Sequence, residues 1–240
     1  MPNGIYSAAA GMAAVQARID ALANDLSNAQ TDGYKSVRVG FRDLAYGTIE
    51  QGMRVGSGAA AVELGRTFAQ GPLTTSDDPL ALALEGPGFF QVKTPDGRTA
   101  LTRDGQLQLD ASGSLVTATG NRLVPPVTLP AGTKPGDVAI AADGTISVKG
   151  AKFTKLQLVD VPAPDGLLPI GDNLFVPSQA SGGVAPARGA SVRQGQLEQS
   201  NVDVASSMID LLDAQRSYEL ASRAIKMQDQ LLQTANDLRH

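Results

Sequence analysis

Apolar residues return every seven positions at both ends of this chain and in short alternating runs between them. From about residue 3 to 31, Ile5, Met12, Ile19 and Leu26 stand seven apart, and Ala8, Val15, Leu22 and Ala29 each follow three later. That is the a/d spacing of a helix that buries one narrow stripe against another helix. Gly11 is the weak position, since Gly costs about 1 kcal/mol relative to Ala inside a helix. A stripe packed on the helix's own domain is the commoner use of such a pattern. Four consecutive repeats at both positions favour a helix-pairing seam. The pattern breaks at Asp32-Gly33. Asn24 and Asn28 occupy places where Ala or Glu would serve the helix better. A polar residue near a seam fixes register at some cost in stability, so these two are expected to specify how the helix meets its neighbours.

The region from about 197 to 239 repeats the theme. Val204, Leu211, Tyr218, Ile225 and Leu232 stand seven apart, Ala214, Ala221 and Ala235 follow three later, and polar Gln228 shares their register. Neither Gly nor Pro occurs after Gly195. A single helix over 202–238 would be about 55 Å long, more than the diameter of a compact domain of this size, so part of its seam needs partners beyond the middle region. Asp203 and Asp210 near its start and Lys226 and Arg239 near its end suit the helix dipole. Glu219 and Arg223, four apart, read as a solvated ion pair.

Residues 40–195 carry alternating runs broken by turn signals, as in "FFQVKTPDGRTALTRDGQLQLDASGSLVT" at 89–117. Asp-Gly occurs at 96–97, 104–105, 143–144 and 165–166, and Asp-Gly between alternating apolar residues signals a hairpin. No helical period is long enough for βαβ units. The expected fold is α+β: N- and C-terminal heptad helices pairing as a coiled coil and flanking a middle antiparallel β domain. Residues 1–35 and 197–240 form the discontinuous helical domain in this reading. Residues 36–75 form an extended connecting segment, and 76–196 the β-rich domain.

Composition narrows the chemistry. The chain has 240 residues, 42% apolar and 18% charged, with 4% aromatic and no Trp. A net charge of −4 without a basic block argues against a nucleic-acid partner, and no run of about 18 apolar residues predicts a membrane span. The N-terminus has no basic residue before Arg18, so no cleaved signal peptide is expected. With no Cys and a single His at position 240, most Ser-His, Cys-His and metal chemistry is excluded; no catalytic residue, cofactor or metal is expected. "GSGAAA" at 56–61 fits G-x-G-x-x-A but lacks room for a βαβ unit and reads as a flexible loop. Asp77 and Asp78, just before Pro79, read as a turn rather than an acid–base pair.

The remaining signals resemble one family. "GIYSAAAGMAAVQARIDALANDLSNAQTDGYK" is similar to the start of flagellar basal-body rod and hook proteins: Asn24, Leu26 and Asn28 match a pattern like N-x-L-(A/S)-N, and Thr31, Gly33, Tyr34 and Lys35 match a T-x-G-(F/Y)-K breaker. "SNVD", with Ser200, Asn201 and Val202, and "QRSYE", with Gln215, Arg216, Tyr218 and Glu219, resemble the family's C-terminal end. "EGPGFFQV" at 85–92 and "LTRDGQLQLDASGSLVTATGNRLV" at 101–124 resemble its β domain.

The resemblance implies a structural subunit of the periplasmic rod, not an enzyme, exported unfolded without a cleaved signal and assembled into a tube around the export channel that transmits torque. It implies a homo-oligomer, with other rod and hook proteins, the export apparatus and surrounding ring proteins as partners. The interface residues would be Ile5, Met12, Val15, Ile19, Leu22, Leu26, Val204, Leu211, Tyr218, Ile225 and Leu232. A hook protein carries a further outer domain that 240 residues hardly accommodate. The C-terminal motif is most similar to distal rod members, whereas the short stretch between "FRDL" at 41–44 and "MRV" at 53–55 favours a proximal one. A secreted β-domain binding module is the alternative of another class, and the scarcity of aromatic residues argues against it. The terminal helices are expected to be largely disordered in the free monomer, because a lone heptad helix lacks its packing partner.

Overall fold

The computed structural model describes residues 3–44, 46–48, 54–56 and 58–237. The chain divides into two compact units, one of residues 1–27, 37–64 and 203–240, the other of residues 28–36 and 65–202.

The first unit holds helix α1, Asn3–Ser27, and helix α2, Val204–Asp237. The Ala-rich sequence of α1 favours the helix. At its end the Ser27 hydroxyl turns back to donate to the Ala23 carbonyl at 2.8 Å. Asp203 starts α2: its carboxylate accepts from the Ala205 N–H at 3.0 Å and from the Ser206 hydroxyl at 2.8 Å, satisfying donors that the first turn leaves orphaned. Those bonds, the Ser206 hydroxyl foremost, hold the Asp203 carboxyl below its usual range.

Strands Val37–Asp43 and Ala59–Arg66 pair with each other, as do Tyr46–Thr48 and Arg54–Gly56. The stretch 36–75 therefore contains paired strands. The Gly/Ala run expected to be a flexible loop enters a strand at Ala59. Phe41 and Leu64 remain about half exposed there.

In the second unit every strand pairing is antiparallel among the described residues. The main sheet runs Leu168–Gly171, Leu174–Val176, Thr99–Thr102, Phe89–Lys93, Arg122–Leu123, Leu115–Thr117 and Leu107–Leu109, with Leu158–Asp160 also pairing on Phe89–Lys93. A separate sheet joins Val138–Ile140, Thr145–Val148 and Ala151–Lys155. Ser191–Gln194 pairs with Leu82–Glu85, and Gln196–Glu198 with Leu73–Thr75. One core gathers Leu82, Leu84, Phe90, Val92, Ala100 and Ile146, and a smaller one gathers Phe89, Leu101 and Phe175. Phe68 caps the smaller core with its ring edge-on to Phe89 and Phe175, centroids 5.3 and 5.0 Å away.

The Asp-Gly signal holds at 96–97 and 143–144, which turn between paired strands. It fails at 104–105 and 165–166. Gly105 lies so close to the Leu82 carbonyl that any Cβ would overlap it, and its own carbonyl accepts from the Leu82 N–H at 3.0 Å. That glycine serves a close approach of two backbones, not a positive φ. Asp165-Gly166 belongs to a single 3-10 turn.

Among the described residues no helix is long and apolar enough to cross a membrane.

Candidate functional site

Two places collect the residues singled out from the sequence. The first lies in the β unit, where the stretch after α1 meets the stretch before α2. Asn28 opens the break: its carbonyl accepts from the Thr31 N–H at 3.1 Å and its side-chain oxygen from the Thr31 hydroxyl at 3.2 Å. Gly33 follows at φ +70°, with a Cβ position only 2.7 Å from the Asp104 nitrogen, and its N–H donates to the Glu198 carbonyl at 2.7 Å. Both the left-handed backbone and the space demand glycine. Tyr34 is buried, and the Arg66 guanidinium lies over its ring at 5.2 Å. Asn201 ties three segments together: its side-chain oxygen accepts from the Ser36 N–H at 2.9 Å, and its amide donates to the Thr67 and Ala69 carbonyls at 2.6 and 3.1 Å. Ser200 beside it is buried, and its hydroxyl accepts from the Val202 N–H at 3.2 Å.

At the centre sits a fully buried ion cluster. The Lys35 ammonium is 2.6 Å from one Glu198 oxygen and donates to the Ala69 carbonyl at 2.8 Å. The same oxygen accepts from the Gly71 N–H at 2.9 Å. The Arg103 guanidinium donates to the other Glu198 oxygen at 3.2 Å and to the Gly86 carbonyl at 2.9 Å, and lies over the Phe89 ring at 5.4 Å. Burial pushes the Lys35 ammonium down from its ordinary value; Glu198 pulls it back up, and Arg103 pushes it down further. One carboxylate thus holds two cations from distant parts of the chain. Such a cluster specifies an arrangement more than it adds net stability, because desolvation offsets most of the attraction. Lys35 was legible as part of a motif. Arg103 lay inside the stretch quoted at 101–124 without being singled out, Glu198 lay two residues before "SNVD", and the polar residues around each gave no sign that either is buried.

Next to this cluster stand two carboxylates. Burial raises both Asp32 and Asp104, and the Asp32 charge raises Asp104 further. The Gln106 N–H, donating to Asp104 at 2.9 Å, opposes that shift.

The second place is the helical unit, where α1 and α2 lie against each other. Arg18 and Asp210 form an ion pair across them at 3.0 Å. Met12, Val15, Ile19, Leu22 and Leu26 are half-buried, as are Leu211, Tyr218 and Ile225. Val204 is 44% exposed. The side chains of Ile5 and Leu232 lie outside the described residues. Among the described residues the buried side chains of the helices are Ala14, Asp25 and Ala214, and Ala14 and Asp25 fall outside the α1 heptad. Asp25 is buried because its carboxylate accepts from the Val37 N–H at 3.0 Å, capping the start of the next strand.

Asn24, Gln215, Arg216 and Glu219 are exposed. Arg216 stands 3.7 Å from Asp213, and Glu219 stands 3.9 Å from Arg223. A second apolar row, Ile209, Leu212, Leu220, Met227 and Leu231, is 54–69% exposed on α2. Helical spacing puts it on the side away from Leu211, Ala214, Tyr218 and Ile225. Asp77-Asp78 makes a turn, with the Asp78 carboxylate accepting from the Leu80 N–H at 2.9 Å.

Residues 83–148 match the family described as flagellar hook protein FlgE/F/G D1 domain, and residues 193–238 match the flagellar basal body rod FlgEFG protein C-terminal family. Among curated relatives, the flagellar basal-body rod protein FlgG of Caulobacter vibrioides is 35% identical, covering 99% of each chain. That of Borreliella burgdorferi is 34% identical over 263 residues, covering 100% of this chain and 99% of the relative. The rod protein FlgF of Mesorhizobium japonicum is 26% identical, covering 91% of this chain and 90% of the relative.

Proposed function

The chain belongs to the flagellar basal-body rod protein family and is a structural subunit of the rod; we propose that it assembles with its own kind through α1 and α2 into a helical tube that surrounds the export channel and transmits torque. The observation that carries this reading is the double apolar character of α2. One side of the helix is half-buried, and the opposite side leaves Ile209, Leu212, Leu220, Met227 and Leu231 in solvent. A helix apolar on two sides is built for two neighbours.

The two helices pair antiparallel in this reading. Residues 33–34 and 198–201 exchange backbone hydrogen bonds, so the end of α1 and the start of α2 come to one place. The Arg18–Asp210 ion pair then brings Met12 to within a turn of Ala214 and Ala8 to within a turn of Tyr218, so that large side chains can interlock with small ones. In that register the last dozen or so residues of α2, about 18 Å, run past the first residue of α1. Met227 and Leu231 stand on this overhang, 62% and 69% exposed, and a neighbouring copy covers them. The half-buried Val15, Ile19 and Leu22 belong to the same interface. The subunit assembles in the periplasm after export, beside other rod and hook proteins and within the surrounding rings.

The test is deletion of the gene in the bacterium that encodes it, followed by electron cryotomography of the envelope. The expected result is an intact export base with a truncated or missing rod, and the point of truncation separates a proximal from a distal seat. Complete flagella with no compensating paralogue would overturn the reading. Leu26→Asp and Ile225→Asp, each placing a charge in the seam, are expected to abolish motility.

A further inference from the structure

The β unit exposes an apolar hollow with a positive rim and, elsewhere, an apolar edge strand beside an acidic turn. One is a socket. The edge strand Ala151–Lys155 borders a hollow of about 270 Å³ lined by Pro130, Ala131 and Val148, with Lys149, Lys152 and Phe153 around it. An engineered core cavity of roughly 150 Å³ already admits benzene, so this hollow has room for an aliphatic side chain. Phe153 is 46% exposed. Lys149 holds only a loose ion pair, 4.0 Å to Asp137, with its side chain 69% exposed. The socket is apolar inside and positive at the rim, on a chain whose net charge is −4.

The other feature is a knob. Leu168–Gly171 is the edge strand of the main sheet, and all four of its residues are exposed, Leu168 at 58% and Ile170 at 37%. Asp172 follows in the turn. Asn173 next to it donates to the Asp32 carbonyl at 3.0 Å, while its own carbonyl accepts from the Thr102 hydroxyl, which in turn accepts from the Asp104 N–H. These bonds bring Asp32, Asp104 and Asp172 to one corner. Pro169 lacks an N–H and the strand's register is irregular, which hinders another strand from adding to this edge. The contact this edge suits is made by side chains.

We propose that the knob of one copy seats in the socket of a second copy, with Leu168 entering the hollow beside Phe153 and Asp172 meeting Lys149 and Lys152. The inference rests on the rod reading above and adds a contact outside the helices. Knob and socket are different surfaces of one chain. Each contact therefore leaves a free knob at one end and a free socket at the other, and a rotation that does not close yields an open helical filament. The charged rim makes the contact sensitive to salt.

The absence of cysteine makes the test direct. Full-length chain carrying Leu168→Cys and Lys152→Cys replaces the native protein in cells, which are treated with a short bismaleimide. The expected product is a ladder of dimers, trimers and larger species, absent from either single variant. Motile cells that yield only monomer overturn the contact and leave the rod reading standing. If the double variant abolishes motility, charge reversal decides instead. Lys152→Glu and Asp172→Lys are each expected to reduce motility and to restore it when combined. Lys is compatible with the backbone at 172, where φ is +50°, since Lys149 adopts the same φ. Unchanged motility in both single variants, or no restoration in the pair, overturns the contact. Failure of the rod reading has a separate signature, complete flagella after deletion of the gene.

Discussion

The two units of this chain bury their apolar residues to very different degrees. In the β unit Leu82, Leu84, Val92, Ala100, Leu101 and Ile146 have no solvent exposure at all. In the helical unit the described residues with comparable burial are Ala14, Asp25 and Ala214, while five large apolar side chains of α2 stand more than half exposed in one row. The β unit closes its own core. The helical unit has the length and pattern of a packed bundle but leaves one apolar side of α2 uncovered among the described residues. A fold can be finished in one region and half of an interface in another.

Amide exchange on dilute chain tests that contrast most broadly. Core strands such as Phe89–Lys93 are expected to exchange only through global unfolding, whereas α1 and α2 exchange far faster. Strong protection at residues 5–26 in the monomer would remove the distinction. The next largest effect is expected from Glu198→Ala, which leaves Lys35 and Arg103 buried without their counter-ion. Breaking such a pair costs about 3–5 kcal/mol, read as a lower thermal midpoint of the β unit.

A matched pair of truncations divides the units. Leu84→Ala should cost about 2–5 kcal/mol, while Leu220→Ala should change monomer stability by no more than about 0.5 kcal/mol yet impair motility. Equal stability losses in the two would contradict the comparison.

A smaller, pH-dependent effect is expected at Asp104. Its folded-state pKa is raised, chiefly by burial, so the folded chain binds that proton more tightly than the unfolded chain. The stability this contributes is complete below the ordinary carboxylate pKa and is lost as pH rises through the raised value. Asp104→Asn keeps an acceptor for the Gln106 N–H and is expected to raise the thermal midpoint near neutral pH, with the advantage vanishing in acid. The smallest effect belongs to Arg18→Ala. The ion pair with Asp210 is exposed, 39% and 50% on its two side chains, and such pairs contribute about 0–1 kcal/mol. Its value lies in register, so Arg18→Asp is expected to impair motility and Asp210→Arg to restore it.

The helices were legible because their signal is local: a seven-residue repeat and a run free of Gly and Pro need nothing beyond neighbouring residues. The antiparallel character of the middle was legible for the same reason, as were the hairpins at Asp96-Gly97 and Asp143-Gly144. Asp104-Gly105 carries the same dipeptide and means something else, because its glycine answers to the Leu82 backbone, more than twenty residues away in sequence. The breaker around Gly33 could be seen to end α1, but its need for glycine comes equally from Asp104.

By itself the sequence determined that a helix stands near each end, that the middle is antiparallel β, and which family the chain resembles, although α1 stops at Ser27, short of the Ala29 at which its repeat ends. Only the tertiary structure decided that Lys35 meets Glu198 across 163 residues and that Arg103 joins them. It alone decided that Asp25 is drawn off the heptad to cap a strand, and that α2 keeps a second apolar face in water. The physical reason is range. Periodicity and turn chemistry act over a few bonds, whereas the partner of a buried charge and the occupant of a helix face depend on which distant segments the fold brings together.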